Sequence, residues 1–460
     1  MPILLNEGRR FVMPSISFNH TLRPRRIDAT LLFATIILVT IGLIMVYSST
    51  FYQGSTYLRW EILRVIAGVI ALIIGTKLHY VRFSGNLKNI ILVITIGILL
   101  LTIILGKRVA GAKRWIGIIQ PAEFAKLSLI LYLAGYFAER IGETQDSFKK
   151  ILPPLAVTGV LILLTVIQPA IGTSLILTAT TLTIFFLAGV KIKYMAIISL
   201  VALAGFLILI FVFPHSRNRI KNFWSGNRYQ QEQSKIGIGS GCLFGKGLGE
   251  GRQKFKFLPK MATDFIFAAI GEEFGFFGST LIFILFLIIL LRGLKIAQTA
   301  DEYFGFLLAS GITCMLFLYA LIHIGVTLGV LPPTGQPLPF ISYGGSALVT
   351  NLFALGQVLN ISKFRMTRIC PGHLASLNGR SALRDTRRAL PHLSRSGHTL
   401  RVAVIRYLLS VHRCPFSVIR YLRLWRIIRC PLPVSRVLPP PSSLTPSSLN
   451  PPKQICQEAI

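Results

Sequence analysis

The chain has 460 residues, of which 53% are hydrophobic and 14% charged, and its net charge is +33. A soluble domain averages about 25% charged residues, so this composition predicts a lipid-embedded protein and argues against a soluble nucleic-acid binder. The positive charge indicates anionic lipid head groups, an anionic substrate or loops that set membrane topology. The six cysteines have no paired metal-ligand spacing, so we predict neither a zinc site nor a disulfide framework.

Ten apolar runs follow a basic N-terminal segment, residues 1–27. About 20 apolar residues cross a bilayer as a helix, so the sequence predicts an all-α integral membrane protein over residues 28–362. The predicted spans are 28–47, 62–78, 88–106, 121–138, 151–167, 172–190, 194–213, 264–291, 304–329 and 341–360. The first run is too long for the core of a signal peptide, and we expect it to remain as an anchor.

Among the short loops, those after even-numbered spans carry most of the lysines and arginines, and a basic segment precedes the first span. By the positive-inside rule, both termini are then cytoplasmic, and the loops of opposite parity are outside. Three outer loops, 107–120, 214–263 and 331–343, are informative. The last lies in a Pro/Gly-rich segment that predicts a re-entrant turn lining a site, with a plain loop as the alternative.

The large outer loop, residues 214–263 between spans 7 and 8, contains ten basic and two acidic residues. The positive potential of such a loop concentrates ligands that carry phosphate. A solvated loop with incidental charge is the alternative. Residues 237–251 include seven glycines. The strand and helix that flank a nucleotide-binding loop are missing, so these glycines do not predict one. They form either a phosphate-binding nest or a compact turn.

Carboxylates near the predicted spans are candidate functional groups. Asp264 sits where the basic loop meets span 8, and it is either a general base at the interface or an acid that offsets the helix dipole. Glu123 and Lys126 share one face of span 4, as a pair lining a cavity or as a structural ion pair. Because Glu272 and Glu273 are adjacent, we expect at most one to face the same cavity as Asp264.

Six motifs in a fixed order resemble the SEDS family, the shape, elongation, division and sporulation proteins typified by FtsW and RodA. The likeness covers residues 28–362 and is closer to FtsW. The motifs are GAKRWI (111–116), QPAEFAK (120–126), QPAIGTS (168–174), GLGEGRQKFKFLP (247–259), TDFIFAAIGEEFG (263–275) and LPFISYGGSA (338–347).

The resemblance implies a peptidoglycan glycosyltransferase of the bacterial cytoplasmic (inner) membrane. Such an enzyme polymerises lipid II into glycan strands by inverting transfer to a sugar 4-hydroxyl, here in cell division. Its implied partners are a class B penicillin-binding protein, which cross-links the strands, and the divisome proteins. The alternatives are a lipid II translocase and a membrane scaffold that recruits the synthase.

The family's essential aspartate corresponds to Asp264, to which we assign activation of the acceptor hydroxyl. A diphosphate leaves as a stable anion and needs no protonating acid, so cations suffice at the leaving group. The predicted substrate-binding residues are Arg114, Glu123, Lys126, Arg252, Lys254 and Ser342. No cofactor is required by the pattern, although Mg²⁺ or Mn²⁺ could share the role of these cations.

The chain departs from the family pattern at two places. Pro259 is followed by Lys260, Met261 and Ala262, where the family usually has Pro-Glu-x-His, and Ala170 replaces the aspartate of the common Gln-Pro-Asp. No role is carried over to these positions.

The cytoplasmic tail, residues 363–460, lies outside the family pattern. Its last 95 residues contain 14 Arg, one Lys and two acidic residues, with a near-repeat at 404–408 and 418–422. One interpretation is a basic membrane-surface helix or a disordered tail. The other is translation of a shifted reading frame.

Overall fold

The structure is a computed structural model of the chain. It describes residues 27–54, 56–109, 112–117, 119–141, 148–212, 217, 221, 223–224, 229–255 and 257–364. The chain forms two units, Met1–Leu393 and Ser394–Ile460, and every described residue lies in the first. Almost all of the predicted tail lies outside the described residues, as does the N-terminal segment before residue 27.

Ten long helices in the described part of the chain coincide with the ten predicted spans. They are α1 (Ala29–Thr50), α2 (Thr56–Lys77), α3 (Leu87–Leu105), α4 (Pro121–Glu139), α5 (Phe148–Ile167), α6 (Ile171–Leu187), α7 (Ile192–Val212), α10 (Ile266–Gln298), α11 (Tyr303–Thr327) and α12 (Gly345–Lys363). Five of them, α1, α3, α5, α10 and α11, are long and apolar enough to cross a membrane. The helical membrane fold is confirmed, while the count of ten spans stays a prediction.

Two of the loops between these helices contain secondary structure of their own. A two-stranded antiparallel hairpin, β1 (Lys107–Val109) and β2 (Ala112–Trp115), precedes α4. The large loop contains α8 (Tyr229–Ser240) and the single turn α9 (Met261–Asp264). The hairpin is a small departure from the all-α prediction, because its two strands are too short to produce a readable alternation of apolar and polar residues.

The loop before α4, the large loop and the Pro/Gly-rich segment meet at one end of the bundle, which we call the loop face. Tyr343 N donates to Ala262 O at 2.9 Å, which joins the Pro/Gly-rich segment to α9. Gln120 N donates to Ser346 Oγ at 2.9 Å, which joins the start of α4 to the start of α12. These bonds satisfy polar backbone groups that lie outside regular helices.

Helices α2 and α12 pack closely because small residues line their contact. A Cβ on Gly75 of α2 would lie 2.6 Å from Phe353 O of α12, so only glycine fits there. Gly68, two turns earlier, is also buried, and a Cβ there would meet the side chain of Leu352. Small residues let membrane helices approach each other closely, and this contact fixes α2 against α12.

The Gly-rich segment repairs a break in α10. The helix is kinked at Gly275, whose φ is 65° and ψ is −158°. Lys246 N donates to Glu272 O at 3.0 Å, and Phe276 N donates to Cys242 O at 3.0 Å. Glu272 O would otherwise accept from Phe276 N in an unbroken helix, so the loop supplies both partners that the kink removes.

Candidate active site

Asp264 lies at the loop face, as the sequence predicts. It is the last residue of α9, its backbone N–H donates to Lys260 O at 2.9 Å, and its side chain is half-buried. Its carboxylate interacts electrostatically with the Tyr319 hydroxyl of α11. Since α10 begins at Ile266, the position is compatible with both the general base and the acid that offsets the helix dipole.

Tyr319 connects the region of Asp264 to the predicted charge pair of α4. Lys126 Nζ donates to Glu123 Oε2 at 2.6 Å, and both side chains are 1% exposed. The Tyr319 hydroxyl donates to Glu123 Oε1 at 3.4 Å, and Lys126 Nζ lies 4.0 Å from the centre of the Tyr319 ring. The pairing predicted for α4 is therefore present, and every member of the network is buried in the bundle.

Arg64 of α2 is a cation of the loop face that none of the sequence motifs contains. Its guanidinium carbon lies 4.1 Å from the centre of the Tyr343 ring, and Nη1 lies 3.2 Å from Glu61 Oε2. Tyr343 is bonded to Ala262, two residues before Asp264. The cation is therefore connected to the segment of Asp264 through one aromatic ring and one backbone hydrogen bond.

Glu272 is the anion that the Gly-rich loop binds. Its carboxylate accepts from Arg252 N at 2.8 Å and Gln253 N at 3.1 Å, and it pairs with Lys246 Nζ at 2.9 Å. The two backbone donors directly follow the Gly-rich segment 237–251, within which Lys246 N donates to the backbone carbonyl oxygen of Glu272. Both alternatives for that segment, a phosphate nest and a compact turn, stay predictions.

Glu273 contacts a different set of partners. Its carboxylate accepts from Ser48 Oγ of α1 at 2.6 and 2.8 Å, and it lies 3.6 Å from Lys254 Nζ. Glu272 and Glu273 are both buried, and both carboxylates lie close to Gly251 in the loop, although their hydrogen-bond and ion-pair partners differ. Glu273 joins the loop and α1 to α10. The expectation that at most one of the two faces the same cavity as Asp264 stays a prediction.

The other predicted binding residues have protein partners in this structure. Arg114 donates from Nε to Gln168 O at 3.0 Å and from Nη2 to Pro169 O. Lys254 Nζ, besides its ion pair, donates to Gly249 O. Ser342 Oγ accepts from the N–H of Leu338 at 2.8 Å and so closes a turn of the Pro/Gly-rich segment.

Arg252 differs from these residues because its side chain is exposed while its backbone N–H holds Glu272. Its guanidinium group remains a candidate for an anionic ligand. The substrate-binding roles of Arg114, Glu123, Lys126, Lys254 and Ser342 stay predictions.

An apolar cavity of about 660 Å³ lies between α2, α3, α4 and α12. Its lining includes Ala71, Ile98, Phe124 and Phe353, and it reaches Ile119 just before α4. A cavity of this size with an almost wholly apolar wall suits a hydrocarbon chain.

Within the described residues, no three His, Cys, Asp or Glu side chains are grouped so that they could hold a metal ion. A contribution of Mg²⁺ or Mn²⁺ therefore stays a prediction without a protein ligand set attached to it.

The family model described as "Cell cycle protein", which represents FtsW, RodA and SpoVE, matches residues 29–367. The chain belongs to this family. The match covers well over half of the chain and confirms the resemblance found in the motifs. All of the predicted site residues lie inside it.

Relatives of this family match over nearly their whole length. Stage V sporulation protein E of Bacillus subtilis is 36% identical over 356 residues, which cover 73% of this chain and 97% of that protein. A probable peptidoglycan glycosyltransferase FtsW of Trichlorobacter lovleyi is 34% identical over 359 residues, covering 73% of this chain and 93% of that one. The likeness to FtsW proteins is thus also confirmed.

Two solved structures share the fold. A chain of a peptidoglycan synthase complex, described as coordinating polymerization and crosslinking, has a TM-score of 0.63 and 25% identity, covering 74% of this chain and 99% of that one. RodA of Thermus thermophilus has a TM-score of 0.58 and 25% identity, covering 74% of this chain and 98% of that one.

Sequence reasoning missed Arg64, Tyr319 and Tyr343. Placing the start of span 2 at residue 62 left Glu61 outside the helix, so the Glu61–Arg64 spacing was not read as a pair on one face. The structure begins α2 at Thr56, which puts both residues inside it. A charged pair in an otherwise apolar helix is the signal that could have found this cluster.

Proposed function

We propose that this protein is a peptidoglycan glycosyltransferase that polymerises lipid II and that Asp264 is its general base. The observation that carries the proposal is the position of Asp264. A half-buried carboxylate lies at the loop face, in the short helix α9 that Tyr343 contacts through Ala262, in a chain of the FtsW and RodA family. The names of the FtsW relatives and the likeness to a chain of a peptidoglycan synthase complex support the same activity.

The proposed reaction is a single inverting displacement. The acceptor sugar's 4-hydroxyl oxygen forms a bond to the anomeric carbon of the donor, and its proton passes to the Asp264 carboxylate. The bond from that carbon to the diphosphate breaks, and its electron pair leaves on the diphosphate oxygen. No acid is needed at the leaving group, because a diphosphate is a stable anion, whereas an ordinary glycoside must be protonated.

Cations at the loop face would stabilise the negative charge that develops on the diphosphate. Arg252 is exposed there, and Lys246 and Lys254 raise the local potential although each is paired with a glutamate. Positive charge already in place where negative charge develops lowers the barrier, because little reorganisation is needed at the moment of reaction.

The apolar cavity offers a place for the polyprenyl chain of lipid II. It reaches the loop face near Ile119 and extends between the helices toward Phe83 at the other end of the bundle. A donor held there by its chain would present its head group at the face where Asp264 lies.

The proposal places the loop face outside the cytoplasmic membrane and both termini inside the cell. The lysines and arginines of the opposite loops support this orientation through the positive-inside rule. We also propose a class B penicillin-binding protein and the divisome as partners, because the likeness to FtsW points to septal synthesis.

The test uses the full chain in liposomes with fluorescent lipid II. We expect glycan strands to accumulate when the penicillin-binding partner is present, measured by gel electrophoresis. The alternative function, lipid II translocation, predicts movement of lipid II between leaflets without polymer, measured by dithionite quenching of the fluorophore. Translocation without polymer would overturn the proposed function.

A further inference from the structure

Arg64 is a charged residue of the loop face that pairs with a buried glutamate and packs against an aromatic ring. It lies about two turns into α2, one turn beyond the exposed Trp60, and its side chain is 29% exposed. The sequence predicts α2 to span the membrane, and a charge within such a helix faces the bundle interior or a polar cavity and marks a functional site by default. Its purely structural alternative is an ion pair with Glu61.

The orientation of the Arg64 side chain is fixed on two sides. Glu61, 4% exposed, accepts one hydrogen bond from Nη1 at 3.2 Å, and the Tyr343 ring packs against the guanidinium carbon at 4.1 Å. Gly345 leaves room for the stem, since a Cβ there would lie 3.0 Å from Arg64 Cδ. A guanidinium group has five N–H donors, so the bond to Glu61 leaves most of its fork available.

Arg64 lies between the two parts of the proposed donor site, which are the segment of Asp264 and the apolar cavity. Tyr343 connects it to the segment of Asp264 through the bond to Ala262 O. Ala71, which lines the apolar cavity, is seven residues further along α2 on the same face, about 10 Å along the axis. A lipid whose chain fills the cavity would therefore have its first charged group near Arg64.

We propose that the Arg64 guanidinium binds a phosphate of the polyprenyl diphosphate of the lipid-linked donor. The inference rests on the proposed function and names a substrate-binding residue for it. A planar fork matches two phosphate oxygens at once, which an ammonium group does not. Glu61 and Tyr343 hold the fork in place, so less side-chain freedom is lost on binding.

The test measures equilibrium binding of radiolabelled polyprenyl diphosphate to the full chain in detergent. Arg64→Gln removes the charge at similar length, Arg64→Lys keeps the charge without the fork, and Arg59→Gln changes an exposed cation on the same helix. We expect affinity to fall about tenfold for Arg64→Gln and about threefold for Arg64→Lys, with no change for Arg59→Gln, by analogy with other charge-assisted bonds. Equal affinity of Arg64→Gln and the unsubstituted protein would overturn the proposal.

A competition arm separates the donor from bulk phospholipid, which carries the same phosphate chemistry. Excess phosphatidylglycerol should leave the bound polyprenyl diphosphate in place. Displacement at equal concentration would mean that Arg64 is a general head-group contact, and the proposal would fall.

A kinetic arm separates this proposal from the function on which it rests. In phosphatidylcholine liposomes, Arg64→Gln should raise KM for lipid II about tenfold. If the unsubstituted protein makes no polymer, the proposed function fails, while the binding arm still decides whether Arg64 holds a diphosphate. If Arg64→Gln folds poorly, as seen in its thermal unfolding, Arg64→Lys decides the outcome.

Discussion

The Tyr319 hydroxyl on α11 and the Glu123 carboxylate on α4 are joined by a hydrogen bond of 3.4 Å inside the bundle. Lys126 neutralises that carboxylate at 2.6 Å and contacts the same ring. The three groups hold two helices together around charges that are 1% exposed or less. Asp264 interacts electrostatically with the same hydroxyl, so this network is part of the electrostatic surroundings of the proposed base.

Removal of one charge from this network should destabilise the protein more than removal of both. Glu123→Gln leaves Lys126 as an unpaired buried charge, which costs about 3–5 kcal/mol in buried pairs. We expect Glu123→Gln/Lys126→Met to recover part of that loss, as measured by thermal unfolding in detergent. Additive losses in the double variant would contradict the pairing seen in the structure.

Glu272 should control the order of the Gly-rich loop. Glu272→Gln weakens the bonds from Arg252 N and Gln253 N and removes the ion pair with Lys246. We expect faster amide exchange and faster proteolysis within residues 241–255, at an unchanged helix content. Glu250→Gln, an exposed carboxylate of the same loop, is the matched control. Equal protection in the two variants would rule out Glu272 as the anchor.

Gly251 should not tolerate a larger residue, because two carboxylates lie close to the position that a Cβ would occupy. A Cβ there would lie 3.0 Å from Glu273 Oε1 and 3.1 Å from Glu272 Oε2. Gly251→Ala should therefore push both carboxylates from their partners and lower the unfolding temperature. Gly239→Ala in α8, where nothing lies within 4 Å of the added carbon, should leave that temperature the same or raise it. The opposite order would contradict the description of the loop.

The helices could be predicted from the sequence, whereas the contacts between distant segments could not. Each of the ten apolar runs corresponds to a helix, because the length and apolar composition of a run predict its helix without reference to the rest of the chain. The insertion of residues 242–246 at the Gly275 kink depends on two distant segments that fit each other, and no local pattern reports this. The same holds for Arg64, because its partner Tyr343 is close in space but distant along the sequence.

The position of Asp264 at the loop face could be predicted, because it lies in a family motif and at the point where the basic loop meets an apolar span; its catalytic role stays a prediction. Lys254 had the same support, yet the structure pairs its ammonium group with Glu273. Sequence shows that a cation is near the site, but only packing shows which carboxylate neutralises it.

Asp301, in the turn between α10 and α11, should make stability depend on pH. Burial raises the pKa of Asp301 above its ordinary value of 3.8, and its Oδ2 is buried with no hydrogen-bond partner among the described residues. The folded state holds this proton more tightly than the unfolded chain. The free energy of unfolding should therefore fall as the pH rises from about 3.8 through the raised pKa.

Asp301→Asn removes this dependence and should unfold at a higher temperature at pH 7, with the advantage shrinking toward pH 4. Thermal unfolding between pH 4 and 8 measures the effect, and Glu250→Gln serves as the exposed control. An advantage that grows toward low pH would mean that the sign of the shift is wrong.

The polymerisation of fluorescent lipid II by Asp264→Asn tests the central claim most directly. The variant keeps the size of the side chain and removes the base, so we expect the rate to fall about 10²–10⁴-fold. Its unfolding temperature and its affinity for polyprenyl diphosphate should stay near those of the unsubstituted protein, and Glu250→Gln should polymerise normally. Normal polymerisation by Asp264→Asn would contradict the assignment of the base.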